Sequence, residues 1–306
     1  MMLNGVEIEE TFAEAFPMYA TRFLITAKNK KWALTAARVA TGFATSIIMA
    51  PAEAGIEKLV APSSTPDGRP GALVHIYHRS VPELKFQTLV RIGQCVLTSP
   101  TSAVFDGLRK VKRKMNIGES LAKFGDGFEY LEERNGMKLW HIPVMEGEFI
   151  IEDSIGVLKA VAGGNIIILA KDGDSGLKAA ETAVDSIRKY CKNVILPFPG
   201  GIVRSGSKVG SLKYPKLTAT TNHLLCPTIR DKVKDTLVPE GVKCVYEIVI
   251  NGLTFDDTLK AMGVGIIAAS KVKGVVKITA TNFGGKLGPY KLYTTEAVKK
   301  AEELLK

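Results

Sequence analysis

The chain has 306 residues, 46% hydrophobic and 24% charged, the make-up of an ordinary globular protein with enough length for two cores. No run reaches the roughly 18 apolar residues of a membrane span, and "MMLNGVEIEETF" has acids where a secretory signal needs basic residues and an apolar stretch, so a cytoplasmic protein is expected. Forty-one lysines and arginines against 31 acids leave a net charge of +10, a field that favours encounter with anions of whatever kind.

In chain order, "MYATRFLITA" (18–27) reads as a strand rich in β-branched and aromatic residues. In "NKKWALTAARVATG" (29–42), Asn29 caps a helix, Trp32, Ala36 and Val39 share one face, and Gly42 ends it. "TSIIMA" (45–50) reads as a short buried strand, and "PAEAGIEKLVAPSSTPDGRPG" (51–71) as a loop too long for a mere connector. "ALVHIYH" (72–78) is a strand, and "VPELKFQTLVRIGQCVLT" (81–98) an amphipathic helix with Pro82 near its first turn. The basic run "RKVKRKM" (109–115) has no interleaved aromatics and reads as a solvated loop rather than a nucleic-acid contact. "GFEYLEERNGMKLWHIPV" (127–144) is a hairpin turning at Asn135-Gly136.

The second half repeats this grammar. "NIIILAK" (165–171) is a strand, "DSGLKAAETAVDSIRKYC" (174–191) a helix capped by Asp174 or Ser175, and "NVILPF" (193–198) a strand. A glycine- and serine-rich loop, "PGGIVRSGSKVGS" (199–211), follows; later come the strand "KCVYEIVING" (243–252), the helix "FDDTLKAMGVGIIAAS" (255–270) and the strand "GVVKITA" (274–280). Each half reduces to β-α-β-loop-β-α-β. The expected fold class is α+β: two ferredoxin-like (split βαβ) lobes with antiparallel sheets flanked by helices, over residues 1–148 and 149–306. No G-x-G-x-x-G joins a strand to a helix, which argues against a dinucleotide fold.

Cys95, Cys191, Cys226 and Cys244 lie far apart without metal-ligand spacing and read as small buried thiols. His75 and His78 point to opposite faces of their strand, so no metal site is expected. One carboxylate stands out. Val245, Glu247, Val249 and Asn251 share one face of a strand whose other face carries Cys244, Tyr246, Ile248 and Ile250. A glutamate in such apolar company pairs with a cation, accepts several hydrogen bonds, or raises its pKa and carries a proton. From pattern alone, an edge strand with Glu247 in water, or a structural ion pair, is the commoner outcome.

Two glycine pairs, Gly200-Gly201 and Gly284-Gly285, each follow a strand, with an aromatic residue before and lysine after. Paired glycines admit close backbone approach or positive φ, and the candidate binding set is Gly200, Gly201, Arg204, Ser207 and Lys208 with Asn282, Phe283, Gly284, Gly285 and Lys286. Amides and cations there suit an anionic or carbonyl ligand; plain glycine turns with solvated lysines fit equally well. No nucleophile elbow is present, so direct transfer between two bound substrates suits an enzyme of this sequence better than a covalent relay.

The ordered blocks "TPDGRPG", "RIGQCVLTSPT", "FGDGF", "VMEGEFIIEDSIG", "VAGGN", "PFPGGIVRSGSKVGS", "PEGVKCVYEIVINGL" and "GVVKITATNFGGKLGPY" span nearly the whole chain. With them the sequence closely resembles the formylmethanofuran:tetrahydromethanopterin formyltransferase family of methane-forming and related archaea and some one-carbon-oxidising bacteria. The resemblance implies two α/β lobes assembled as homodimers or homotetramers, and transfer of a formyl group between the amine of formylmethanofuran and N5 of tetrahydromethanopterin. It implies a catalytic role for Glu247, in the block matching "CVYEIVING". The two anionic carriers are then co-substrates, with no tightly bound cofactor or metal and no nucleic-acid or membrane partner. A scaffold subunit in a larger formyl-processing complex is the alternative.

Overall fold

A computed structural model describes residues 1–306 except the side chain of Ser207. The chain forms two compact units, one of Met18–Ala160 and one of Met1–Pro17 with Val161–Lys306.

In the first unit, Asn29 Oδ1 accepts the amide of Trp32 at 3.1 Å and starts the helix Lys30–Ala40. Its buried face is Ala33, Ala36, Ala37 and Ala40, while Val39 is exposed. The expected Trp32–Ala36–Val39 face is therefore corrected: short alanines let the helix lie close to the sheet, and the larger residues move outward. Residues 45–50 form turns, not a strand. The strand is Glu53–Val60, inside the segment read as a loop, paired antiparallel to Gly71–His78. Its own sequence, EAGIEKLV, is poor in strand formers; the neighbouring strand overrides that preference through register pairs such as Ala54 with Ile76.

Gly71–His78 pairs with the strand Phe12–Thr26, which pairs in turn with Ala103–Asp106, all antiparallel. The order is that of a split βαβ fold. Phe23, Ile25, Val74 and Ile76 meet Ala36, Ala40 and Leu84 of the two helices on one face of this sheet. Arg91, at the end of the helix Val81–Arg91, donates to the carbonyls of Ala40 at 2.7 Å and Gly42 at 2.8 Å and closes the first helix. The predicted hairpin is present, Tyr130–Arg134 against Met137–Val144, with Asn135 and Gly136 at φ 53° and 72°. The basic run is a loop over 109–113 with Arg109, Lys110, Lys112 and Arg113 exposed, as expected, though three of its side chains have partners. Arg109 pairs with Glu152 at 2.9 Å, Lys114 with the buried Asp106, and Arg113 lies 5.4 Å from the Tyr19 ring centre.

The second unit repeats the topology with the order Val194–Ile195, Cys244–Gly252, Ser154–Ala170 (from Val161 onward) and Val275–Thr279, again antiparallel. The strand expected at 193–198 shrinks to two residues because the chain leaves the sheet at Leu196. The helix Gly173–Tyr190 is capped by Asp172, not Asp174 or Ser175: Asp172 Oδ1 accepts the Ser175 amide at 2.8 Å. This helix and Phe255–Ser270 cover one sheet face, where Ile166, Ile168, Ile248, Ile250 and Ile278 pack against Ala183, Ile187, Leu259 and Met262. On the other face, Ile167 and Leu169 pack under Leu225, Val238 and Val242 from the long excursion between Ile195 and Cys244. Glu247 belongs to that other face.

Candidate functional site

Glu247 sits opposite Ile167 in the ladder. On its other side Val203 forms an isolated bridge: the Val203 amide donates to Glu247 O at 2.7 Å, and the Glu247 amide to Val203 O at 3.0 Å. Glu247 is thus not on a bare edge; the chain around the first glycine pair covers it. The side chain is half-buried, and among the described residues no hydrogen bond or ion pair reaches its carboxylate. Protein packed around the carboxyl removes water from it, and this burial alone pushes its pKa up to about 7. Of the readings left open by the sequence, the ion pair and the carboxylate in open water both give way to the raised pKa.

The loop after Leu196 carries the first part of the candidate set. Gly200 and Gly201 have φ of 66° and 91°, a left-handed pair that only glycine adopts readily. The Gly201 amide donates to Phe198 O at 2.8 Å, and a Cβ at Gly201 would press on Leu196 and Val184 at 3.0–3.2 Å, so this glycine serves the packing of the turn. Gly200 is exposed and its carbonyl accepts Arg188 Nη2 at 3.2 Å. Arg204 is exposed. Lys208 Nζ donates to Thr220 Oγ1 at 2.6 Å, across the small hairpin Ser207–Val209 with Ala219–Thr221. The side chain of Ser207 lies outside the described residues. Residues 186–230 contain eight lysines and arginines and no acid, which concentrates positive charge on the segment next to Glu247.

The second glycine loop begins just beyond Thr279, which pairs with Ile167 on the side away from Glu247. Glu247, Ile167 and Thr279 therefore form one row across three strands, roughly 10 Å at ~4.8 Å per strand. Asn165, two residues along, accepts the amide of Thr281 at 2.8 Å and anchors the loop's start. Asn282 Nδ2 donates to Thr11 Oγ1 and Phe12 O at 3.1 and 3.0 Å. The Gly284 amide donates to Asn282 Oδ1 at 3.0 Å. The amides of Phe283, Gly285, Leu287 and Gly288 all point inward onto the carboxylate of Glu14. Phe283, Gly284 and Lys286 face out, exposed.

Reasoning from the sequence missed Glu14 and Asn165. Glu14 had a readable signal, a single carboxylate inside the apolar strand "FAEAF", the same pattern that drew notice to Glu247. Asn165 had none. Burial raises the thiol pKa of Cys95 and Cys244 and pushes Cys191 up to about 12, so these three are protonated and inert at neutral pH. Among the described residues, no group of three His, Cys, Asp or Glu is placed to hold a metal, and no helix is long and apolar enough to cross a membrane.

A half-buried carboxyl between two glycine loops, with three thiols held protonated, suits a group-transfer enzyme that works without a thiol nucleophile, on an α+β scaffold whose halves repeat one topology. Comparison with known proteins makes the class specific. Residues 1–144 match the family model "Formylmethanofuran-tetrahydromethanopterin formyltransferase", and residues 147–297 match "FTR, proximal lobe". The chain belongs to the formylmethanofuran:tetrahydromethanopterin formyltransferase family. Relatives of that name from Archaeoglobus fulgidus and Methanocaldococcus jannaschii are 56% identical over 290 residues and 54% over 299, covering 95% and 97% of this chain and 97% and 99% of theirs. The formyltransferase structure from Methanosarcina barkeri superposes with a TM-score of 0.94 at 52% identity, covering 97% of this chain and all of that one. A chain of the formyltransferase/hydrolase complex from Methylorubrum extorquens, solved with methylofuran, does so with 0.92 at 40%, covering 97% and 98%.

Proposed function

We propose that Glu247 is the proton shuttle of direct formyl transfer between formylmethanofuran and N5 of tetrahydromethanopterin, in a complex holding both carriers. The observation that carries this reading is a carboxyl on a strand covered by Val203 on one side and Ile167 on the other, which meets no hydrogen bond or ion pair among the described residues; burial pushes its pKa up to about 7.

The amine N5 attacks the formyl carbon; the new C–N bond forms as the carbonyl π pair moves onto oxygen. Glu247, as carboxylate, takes the proton from N5. The oxyanion then collapses, the bond from carbon to the methanofuran nitrogen breaks, and Glu247 returns the proton to that departing amine. A carboxyl half-ionised near neutrality suits both halves, an effect worth about 10²–10⁴-fold. Holding the two nitrogens in register supplies much of the remainder, and a covered strand keeps water from hydrolysing the formyl group.

The second loop's inward amides are engaged by Glu14 and Asn282, so the binding role proposed for Asn282, Phe283, Gly284, Gly285 and Lys286 rests on their outward surface. On the first loop, Gly200, Gly201, Arg204, Ser207 and Lys208 line the acid-free stretch that meets the carriers' carboxylates and phosphate. The same reading takes the carriers as co-substrates without a tightly bound cofactor or metal, in a cytoplasmic homodimer or homotetramer. The test is formyl transfer by purified protein with both carriers, and retention of wild-type kcat by Glu247→Gln would end the shuttle role.

A further inference from the structure

The structure assigns Glu14 as a positioning residue: its carboxylate holds the main chain of 283–288 in the one shape that presents the loop's outer surface to a carrier. This rests on the proposed binding role of that loop. Glu14 is 3% exposed. Oε2 accepts the amides of Phe283 at 2.7 Å and Gly285 at 3.1 Å, and Oε1 accepts those of Gly288 at 2.6 Å and Leu287. Four converging N–H dipoles form a nest that holds the charge; no ion pair to Glu14 is present among the described residues. Gly284 and Gly285, at φ 70° and 76°, turn the amides inward.

Without the carboxylate these donors lose their partner, although the loop stays tied at both ends. Asn165 holds Thr281 before it, and Tyr290–Tyr293 pairs with Phe12–Ala15 after it. The arrangement contributes little to the core, since Phe283, Gly284, Lys286 and Leu287 above it lie exposed. What it fixes is loop shape, so the ordering cost falls on folding rather than on carrier binding. Burial pushes the Glu14 pKa up, but the four amides outweigh it and hold the carboxyl below its usual range, ionised wherever the transfer runs.

The experiment compares Glu14→Gln and Glu14→Asp in the full chain, with two readouts. One is steady-state formyl transfer with each carrier varied in turn; the other is the rate of tryptic cleavage between Lys286 and Leu287. The Gln variant keeps the size but turns an amide donor toward two N–H groups, while the Asp variant keeps the charge. The expected result for Glu14→Gln is faster cleavage at that bond and a KM for one carrier raised by about tenfold or more, with the pH dependence of kcat unchanged; Glu14→Asp recovers most of both. Unchanged cleavage in Glu14→Gln, or faster cleavage with both KM values at wild type, overturns the assignment. If Glu14→Gln does not fold, Gly285→Ala strains the same loop from outside, and its failure to raise either KM overturns the assignment equally. Loss of the Glu247 role shows elsewhere, as wild-type kcat in Glu247→Gln, and leaves the Glu14 readouts independent.

Discussion

Replacing Glu247 by glutamine should cost activity and add stability, with a pH dependence that identifies the cause. The carboxyl's pKa is about 7 in the folded chain against an ordinary value of 4.5. The folded state thus binds this proton more tightly than the unfolded state. The stabilisation is full below the unfolded pKa and is lost as pH rises through the folded one, between about 4.5 and 7. The glutamine side chain has no proton to lose, so the variant's stability relative to wild type should increase over the same window. Linkage for a shift of that size caps the change from pH 5 to pH 8 at roughly 2–3 kcal/mol, and partial solvent access reduces it to about 1–2 kcal/mol. Urea unfolding of both proteins at the two pH values measures it, alongside kcat, expected to fall by about 10²-fold or more. A Glu247→Gln protein no more stable at pH 8 than at pH 5, relative to wild type, would refute the desolvation on which the shuttle depends.

Three further outcomes follow from the packing and charge. At Gly263, a Cβ would stand 1.9 Å from the carbonyl of Ala297, so Gly263→Ala should lower thermal stability by about 2 kcal/mol or more, read by calorimetry. Asp172→Ala removes the 2.8 Å cap on the Ser175 amide and should lower the denaturant midpoint of unfolding, with an unchanged midpoint refuting the cap's contribution. Because residues 186–230 carry eight basic side chains and no acid, added salt should raise the KM of the carriers while leaving kcat nearly constant, and Arg204→Glu should flatten that dependence; a KM insensitive to salt would remove the steering role.

Most of the topology was legible in the sequence because periodicity survives folding where one element face is buried. Phe255–Ser270 reads correctly from its apolar density, and the hairpin from Asn135-Gly136. The errors lie where a neighbour decides the outcome. Glu53–Val60 is a strand because Gly71–His78 offers it a ladder, and 45–50 is not because it lacks one. At the site, Glu247 was visible as a carboxylate among hydrophobes. Whether it met a cation, water or neither depended on Val203 crossing over from 44 positions earlier, which no local pattern records. The glycine pairs were visible too, but not that the amides beside the second would turn inward to a glutamate some 270 residues away.

That inward turn bears on the chemistry of Glu247. The unit of Met1–Pro17 with Val161–Lys306 holds two carboxylates in apolar strands, and their surroundings drive them apart. Glu14 collects four main-chain donors and stays ionised; Glu247 collects none among the described residues and titrates near neutrality. In the proposed mechanism, two groups of one chemical kind thereby take different roles, one a fixed anion that shapes a loop and the other an acid and base. Geometry maintains the separation, because a single amide turned toward Glu247 would favour its carboxylate and pull its pKa back down. The strand row puts roughly 10 Å between Glu247 and the start of the second loop, well beyond the ~3 Å reach of a hydrogen bond. On the two proposals, a loop released from Glu14 should therefore cost the carrier its position and leave the protonation of Glu247 alone, which is why the pH profile of kcat separates the two roles.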